Sequence, residues 1–160
     1  MKKFFLTFII LSVLGISTLQ AQEMTKGMSL GNISLGLIPG IGLGGSYDYG
    51  LIDTWGPGIF TIGASIGFNN YSKNSEVRGT HWSFAPRATY RYAISRTFEV
   101  YGVAMIGAWF TTYSKYEGND SSPFFGISAG CRYTFMDNLS LFGEIGYNVS
   151  FLNGGLSIAF

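Results

Sequence analysis

Of the 160 residues only 12% are charged while 47% are hydrophobic, against about a quarter charged in an ordinary soluble domain. Ten Lys and Arg face nine Asp and Glu with no basic cluster, which excludes nucleic acid as a partner. The single Cys131 excludes an intramolecular disulfide, and 23 Gly, 14 Phe and 10 Tyr favour strands and tight turns over helices.

Residues 1–21 read as a cleaved signal peptide. Lys2 and Lys3 supply its basic start, residues 4–16 its apolar run, and the small and polar residues 17–21 end in Ala21 before the cut. The apolar run is too short for a spanning helix, which needs about 20 residues. No cysteine lies near the cut to take a lipid anchor. Residues 22–160 are then one domain.

That domain is built of segments of about ten residues in which apolar and small or polar residues alternate, the pattern of a membrane β-barrel. Residues 28–37 alternate loosely. Next, Ile41, Leu43, Tyr47 and Tyr49 oppose Gly42, Gly44, Ser46 and Asp48. Because no helix follows, Gly40, Gly42, Gly44 and Gly45 do not form a phosphate loop. The clearest segment is 58–69, where Phe60, Ile62, Ala64, Ile66 and Phe68 share a face. Trp82, Phe84, Pro86, Ala88, Tyr90 and Tyr92 then oppose Ser83, Ala85, Arg87, Thr89 and Arg91. From residue 97, Phe98, Val100, Ala104, Ile106 and Phe110 oppose Glu99, Tyr101, Met105 and Trp109. Phe125, Ile127, Ala129, Cys131, Tyr133 and Phe135 oppose Phe124, Gly126, Ser128, Gly130, Arg132 and Thr134. Leu139, Leu141, Ile145 and Tyr147 oppose Ser140, Phe142, Glu144 and Asn148; last, Leu156, Ile158 and Phe160 oppose Gly155, Ser157 and Ala159. Eight strands result, an even number as single-chain bacterial barrels have. Tight bends at 94–96 and 136–138 alternate with polar stretches 70–80 and 111–122, read as long loops at the opposite end.

Without Lys2 and Lys3, 17 charges remain, 8 basic and 9 acidic. Eleven fall at the start, in bends or in loops: Glu23, Lys26, Asp53, Lys73, Glu76, Arg78, Arg96, Lys115, Glu117, Asp120 and Asp137. The other six, Asp48, Arg87, Arg91, Glu99, Arg132 and Glu144, all fall on the face opposite the apolar row of their strand. A soluble ligand-binding barrel would put the bulky rows inside, where eight strands leave little room, and would leave a Gly- and Ser-rich outer face with few charges. The reverse arrangement fits: apolar rows toward lipid, where an Arg or Lys at midplane costs about 2–4 kcal/mol, and small residues with balanced charges in a narrow lumen.

Here the sequence resembles the small OmpA/OmpX-type outer-membrane barrels, over the whole of residues 22–160 in pattern and length. The most specific part is the end, where Asn153, Gly155, Ile158 and Phe160 match that family's C-terminal insertion signal. The resemblance implies an eight-stranded antiparallel transmembrane β-barrel exported to the outer membrane of a Gram-negative cell. It implies contact with outer-membrane lipids and lipopolysaccharide. It also implies recognition by the barrel-assembly machinery, which would pair with the unclosed last strand by β-augmentation.

Three acids and three bases in the lumen are read as a paired network that plugs the barrel, since buried charges need partners. The alternative is a narrow pore with a charged constriction. His81, followed by Ser83, raises the further alternative of a lipid-modifying enzyme, although no acid orients the imidazole. Trp82, Tyr90, Tyr92, Trp109, Phe110, Tyr133, Phe135 and Tyr147 are read as interfacial aromatic girdles. Residues 70–80 and 111–122 are the candidate sites for an extracellular ligand. No cofactor or metal motif is present, and the expected role is structural, adhesive or surface interaction rather than catalysis.

Overall fold

In a computed structural model, residues 24–37, 40–53, 56–74, 77–113, 119–148 and 150–160 are described. The expected signal peptide, residues 1–21, lies outside them. Eight strands follow in order: β1 (Ser29–Leu37), β2 (Gly42–Ile52), β3 (Ile59–Asn74), β4 (Val77–Ala93), β5 (Phe98–Tyr113), β6 (Asn119–Met136), β7 (Leu139–Tyr147) and β8 (Leu152–Ala159). Each pairs antiparallel with the next, and β8 pairs with β1, so the sheet closes into a barrel without an edge along its wall. Ser29 and Phe160 exchange backbone hydrogen bonds of 2.9 and 3.0 Å across the closing seam, one residue beyond the end of β8. The start of β1, the end of β8 and the β2–β3, β4–β5 and β6–β7 turns therefore share one end, called here the terminal end; the other four connections form the far end.

The period of two in the sequence is the period of the wall. Ile33, Ile66, Ile106 and Phe125 are 70%, 61%, 66% and 60% exposed, whereas Asn32, Thr61, Arg87, Thr89, Ser128 and Ser157 on the alternate faces are buried. An exterior of this kind belongs in hydrocarbon, since water-facing surfaces rarely carry so continuous an apolar patch. Aromatic rows bound it. Toward the far end Phe68 pairs with Trp82, which pairs with Phe110, and the Phe68 and Trp82 rings meet edge-on at 4.8 Å. One step beyond come Asn70, Thr80 and Thr112. Toward the terminal end lie Phe60 beside Tyr90 and Phe98 beside Tyr133. The eight steps from Phe60 to Phe68 span about 27 Å along the strand, or about 21 Å after a tilt near 40°, close to the roughly 25 Å band of membrane barrels. Trp109 does not belong to these girdles. It turns into the barrel, 4.9 Å from the Phe124 ring and 6.0 Å from His81.

In the polar stretches 70–80 and 111–122, read as long loops, the described residues 70–74, 77–80, 111–113 and 119–122 are strand. Backbone pairing continues through Tyr71↔Gly79 and Asn74↔Val77 in one hairpin, and through Thr111↔Asp120 and Thr112↔Asn119 in the other. Lys73, Arg78 and Asp120 thus sit in strands, whereas Lys26, Asp53, Arg96 and Asp137 occupy turns or bends. Apolar alternation marks only strands with one buried face. Beyond the apolar band neither face is buried in lipid, so the alternation stops while the Tyr, Thr and Val content still supports pairing. Strands β3 to β6 are 16 to 18 residues long, against 8 to 11 for β1, β2, β7 and β8. Four neighbouring strands therefore rise past the others at the far end.

Candidate functional site: a buried charge layer

The inward faces of five strands bring six charged residues together: Asp48 from β2, Arg87 and Arg91 from β4, Glu99 from β5, Arg132 from β6 and Glu144 from β7. All are buried, Asp48 completely. They form one path of alternating sign. Glu144 meets Arg87 at 3.1 Å; Arg87 meets Asp48 at 3.1 Å; Asp48 meets Arg91 at 2.8 Å; Arg91 meets Glu99 at 2.6 Å; Glu99 meets Arg132 at 2.8 Å.

Strand geometry explains the path. Arg87 and Arg91 are four residues apart on one strand, so both face the lumen, about 13 Å apart along the strand. Asp48 reaches Arg87 because the residue between them in the register is Gly63, with Asp48↔Gly63 and Gly63↔Arg87 as backbone partners. A Cβ at Gly63 would overlap the Tyr47 carbonyl and lie 2.9 Å from the Asp48 carboxylate. Glycine is thus required on two counts, close backbone packing and room for the pair.

Neutral groups satisfy much of what remains. Arg87 donates to Ser46 Oγ at 3.0 Å, and Asn32 Nδ2 donates to Ser46 Oγ at 2.9 Å and to Asp48 at 3.3 Å. Ser157 in turn donates to Asn32 Oδ1. Tyr101 donates its hydroxyl to Glu144 at 3.2 Å, and the Arg91 guanidinium lies 4.6 Å above the Tyr101 ring. Asn32, Ser46, Gly63 and Tyr101 escaped the sequence reading as members of this layer. Ser46 and Tyr101 were within its reach, because each lies two residues from a charge on the same face. Asn32 sits in the loosely alternating first strand, and the role of Gly63 depends on register between strands.

The layer divides the lumen. On its far side a cavity of about 40 Å³ reaches Arg87 and Glu144 between small residues such as Ser34, Gly44 and Ser65. On its terminal side a cavity of about 230 Å³ reaches Arg91 and Glu99. The first has room for only a few waters. Three carboxylates and three guanidiniums leave no net charge and no uncommitted acid or base in the layer.

The other sequence candidates are placed separately. His81 faces the lumen side, where its Nδ1 lies 2.7 Å from Thr111 Oγ1. Ser83 Oγ is buried without a hydrogen-bond partner, so the His81–Ser83 pair is not formed. Adjacent side chains of a strand face also point in parallel, which keeps a residue and its second neighbour from converging. At the C-terminus Ile158 and Phe160 face outward, 46% and 70% exposed. Asn153 faces inward and donates to Asn148 Oδ1 and to the Ser150 carbonyl, both at 3.1 Å. A Cβ at Gly155 would overlap the Ile33 carbonyl across the closing seam.

A closed, eight-stranded antiparallel wall with an apolar exterior and a charged interior defines a barrel of the transmembrane type. No protein-family model and no curated protein matches the chain in sequence. Solved structures match it in fold. The N-terminal β-barrel domain of Pseudomonas aeruginosa OprF is 18% identical with a TM-score of 0.56, covering 86% of this chain and all of that one. Ail, the attachment invasion locus protein of Yersinia pestis, is 14% identical with a TM-score of 0.53, covering 85% of this chain and all of that one. A de novo designed transmembrane β-barrel is 18% identical with a TM-score of 0.54, covering 87% and 100%. The fold is therefore that of the OmpA/OmpX-like eight-stranded outer-membrane barrels.

Proposed function

We propose that this chain is an integral outer-membrane barrel with a plugged lumen that works by presenting its far end, facing the cell exterior, to an extracellular partner. The observation that carries this reading is the uneven height of the wall. Strand β2 stops pairing at Gly42↔Asn69 while β3 continues to Asn74, and β7 stops at Tyr147↔Ile127 while β6 extends back to Asn119. Residues 70–74 pair only with β4 and residues 119–126 only with β5, so among the described residues their other side has no neighbouring barrel strand, and an open edge can take up an extended peptide as a further strand. In sequence, residues 70–80 and 111–122 hold Lys73, Arg78 and Lys115 with Glu76, Glu117 and Asp120. Three charges of each sign balance, which does not favour a polyanion such as the heparin analogue in the Ail structure.

The test is adhesion of cells displaying the full chain or a chain in which residues 71–78 and 113–119 are replaced by two-residue turns. Loss of adhesion by the shortened barrel, with its folded band intact in unheated gels, is the expected outcome. Equal adhesion overturns the surface role.

A narrow pore is the second reading. It is favoured by the two cavities that approach the charge layer from opposite sides. Planar-bilayer recording separates the two: the plugged reading expects no sizeable single-channel conductance, and a stable open level overturns it. The C-terminal residues Asn153, Gly155, Ile158 and Phe160 are proposed as the segment read by the barrel-assembly machinery, supported by the outward Ile158 and Phe160 on the closing strand. Outer-membrane lipids and lipopolysaccharide are the proposed surroundings of the apolar belt.

A further inference from the structure

We propose that residues 24–28 are a lid that seals the terminal mouth of the lumen, separately from the charge layer and independently of any surface role. Residues 25–28 make a turn in which Met28 N donates to the Thr25 carbonyl at 3.2 Å, with Gly27 at φ +87°. A positive φ at the third position marks a type II turn and selects glycine there. Two backbone bonds hold the turn against the end of β2: Gly27 N to the Gly50 carbonyl and Gly50 N to the Met28 carbonyl, each 2.9 Å. The turn swings Met24 under the barrel, where it is 7% exposed in an apolar seat of Leu30, Ile59 and Ala159. Met28 packs against the same seat.

The lid forms one wall of the 230 Å³ cavity, which Lys26 and Asp53 border at its outer rim and Arg91 and Glu99 at its inner end. The lid is the apolar door of a charged vestibule. Its bonds are additional to the β1–β2, β2–β3 and β8–β1 ladders, so it can lift without breaking the wall. Lifting it gives solution on the terminal side access to the Arg91–Glu99 pair, while Asp48, Arg87 and Arg91 still close the lumen above.

Gly50 makes the lid testable. A Cβ there would overlap the Thr25 carbonyl and come 3.2 Å from Ile59 Cδ1. Gly50→Ala therefore displaces the lid, and its one other close contact is with Ile59 of the lid's own seat. Gly45 is the control, because a Cβ there meets nothing closer than 3.6 Å. The reporter is the Ala159→Cys thiol in a Cys131→Ser background, reacted with a polar maleimide on folded protein in detergent micelles. The expected result is labelling on the order of tenfold faster, the signature of a local opening, in Gly50→Ala and in Met24→Asp, with Gly45→Ala equal to the parent. Met24→Asp puts a charge in the apolar seat and serves alone if Gly50→Ala does not fold. The unheated-gel shift verifies the barrel in each variant. Labelling at the parental rate in the folded displaced variants, or equal acceleration by Gly45→Ala, overturns the lid.

Discussion

Asp48 is the residue on which the interior turns: it joins Arg87 to Arg91 as Glu99 joins Arg91 to Arg132, and it is the more deeply buried of the two carboxylates. Removing one partner from a buried pair leaves the other charge uncompensated and costs about 3–5 kcal/mol. Asp48→Asn is expected to lower stability by that order, read as an earlier midpoint in denaturant titrations of the lipid-inserted protein. Glu144→Gln is expected to cost less, since Arg87 keeps Asp48 and Ser46. Equal losses from the two variants would mean that the shared contacts are not the source. In the sequence the six charges stand out because each falls in the small and polar row opposite the apolar one. Their order does not, since the path Glu144–Arg87–Asp48–Arg91–Glu99–Arg132 depends on register and on the missing side chain at Gly63.

At the scale of the strand, the outward rows make a sharp forecast. Ile66 faces out within the apolar band, and Asn70 faces out just past its aromatic border. Ile66→Arg is expected to reduce stability in vesicles by about 2–4 kcal/mol, and Asn70→Arg by no more than about 1 kcal/mol. A similar cost at both positions would contradict a lipid boundary at Phe68. The alternation that identified these rows in the sequence follows directly from two unlike environments on the two sides of one sheet. Where both sides meet water the pattern loses its cause, which is why residues 70–80 and 111–122 read as loops although 70–74, 77–80, 111–113 and 119–122 are strand. Trp109 misled in the opposite sense: its distance along the strand suits a girdle, but its parity with Glu99 and Tyr101 turns it inward.

For the molecule as a whole, the buried charges sit in one layer, and two small apolar groups lie near it, one on its terminal side and one alongside it on β4 and β5. One is the seat under Met24, and the other joins Ala85, Tyr101, Val103 and Met105. Closure of the eight-strand wall was legible from strand count and turn spacing. Its slanted rim was not, because strand length beyond the lipid carries no hydrophobic signature.

The mutual hydrogen bonds of Ser29 and Phe160 bring the two chain ends into one ladder. Topologically the wall is a ring, and the place where synthesis starts is arbitrary. A circular permutant opened within 94–97 and joined from Phe160 to Met24, using 24–28 as the linker, is expected to keep the same ladder. Refolding into synthetic vesicles, which needs only the ring, should proceed as in the parent. Insertion in living cells should fall, because on the C-terminal reading proposed above it requires a last strand with a free end. A permutant that inserts as well as the parent would show that this end carries no address.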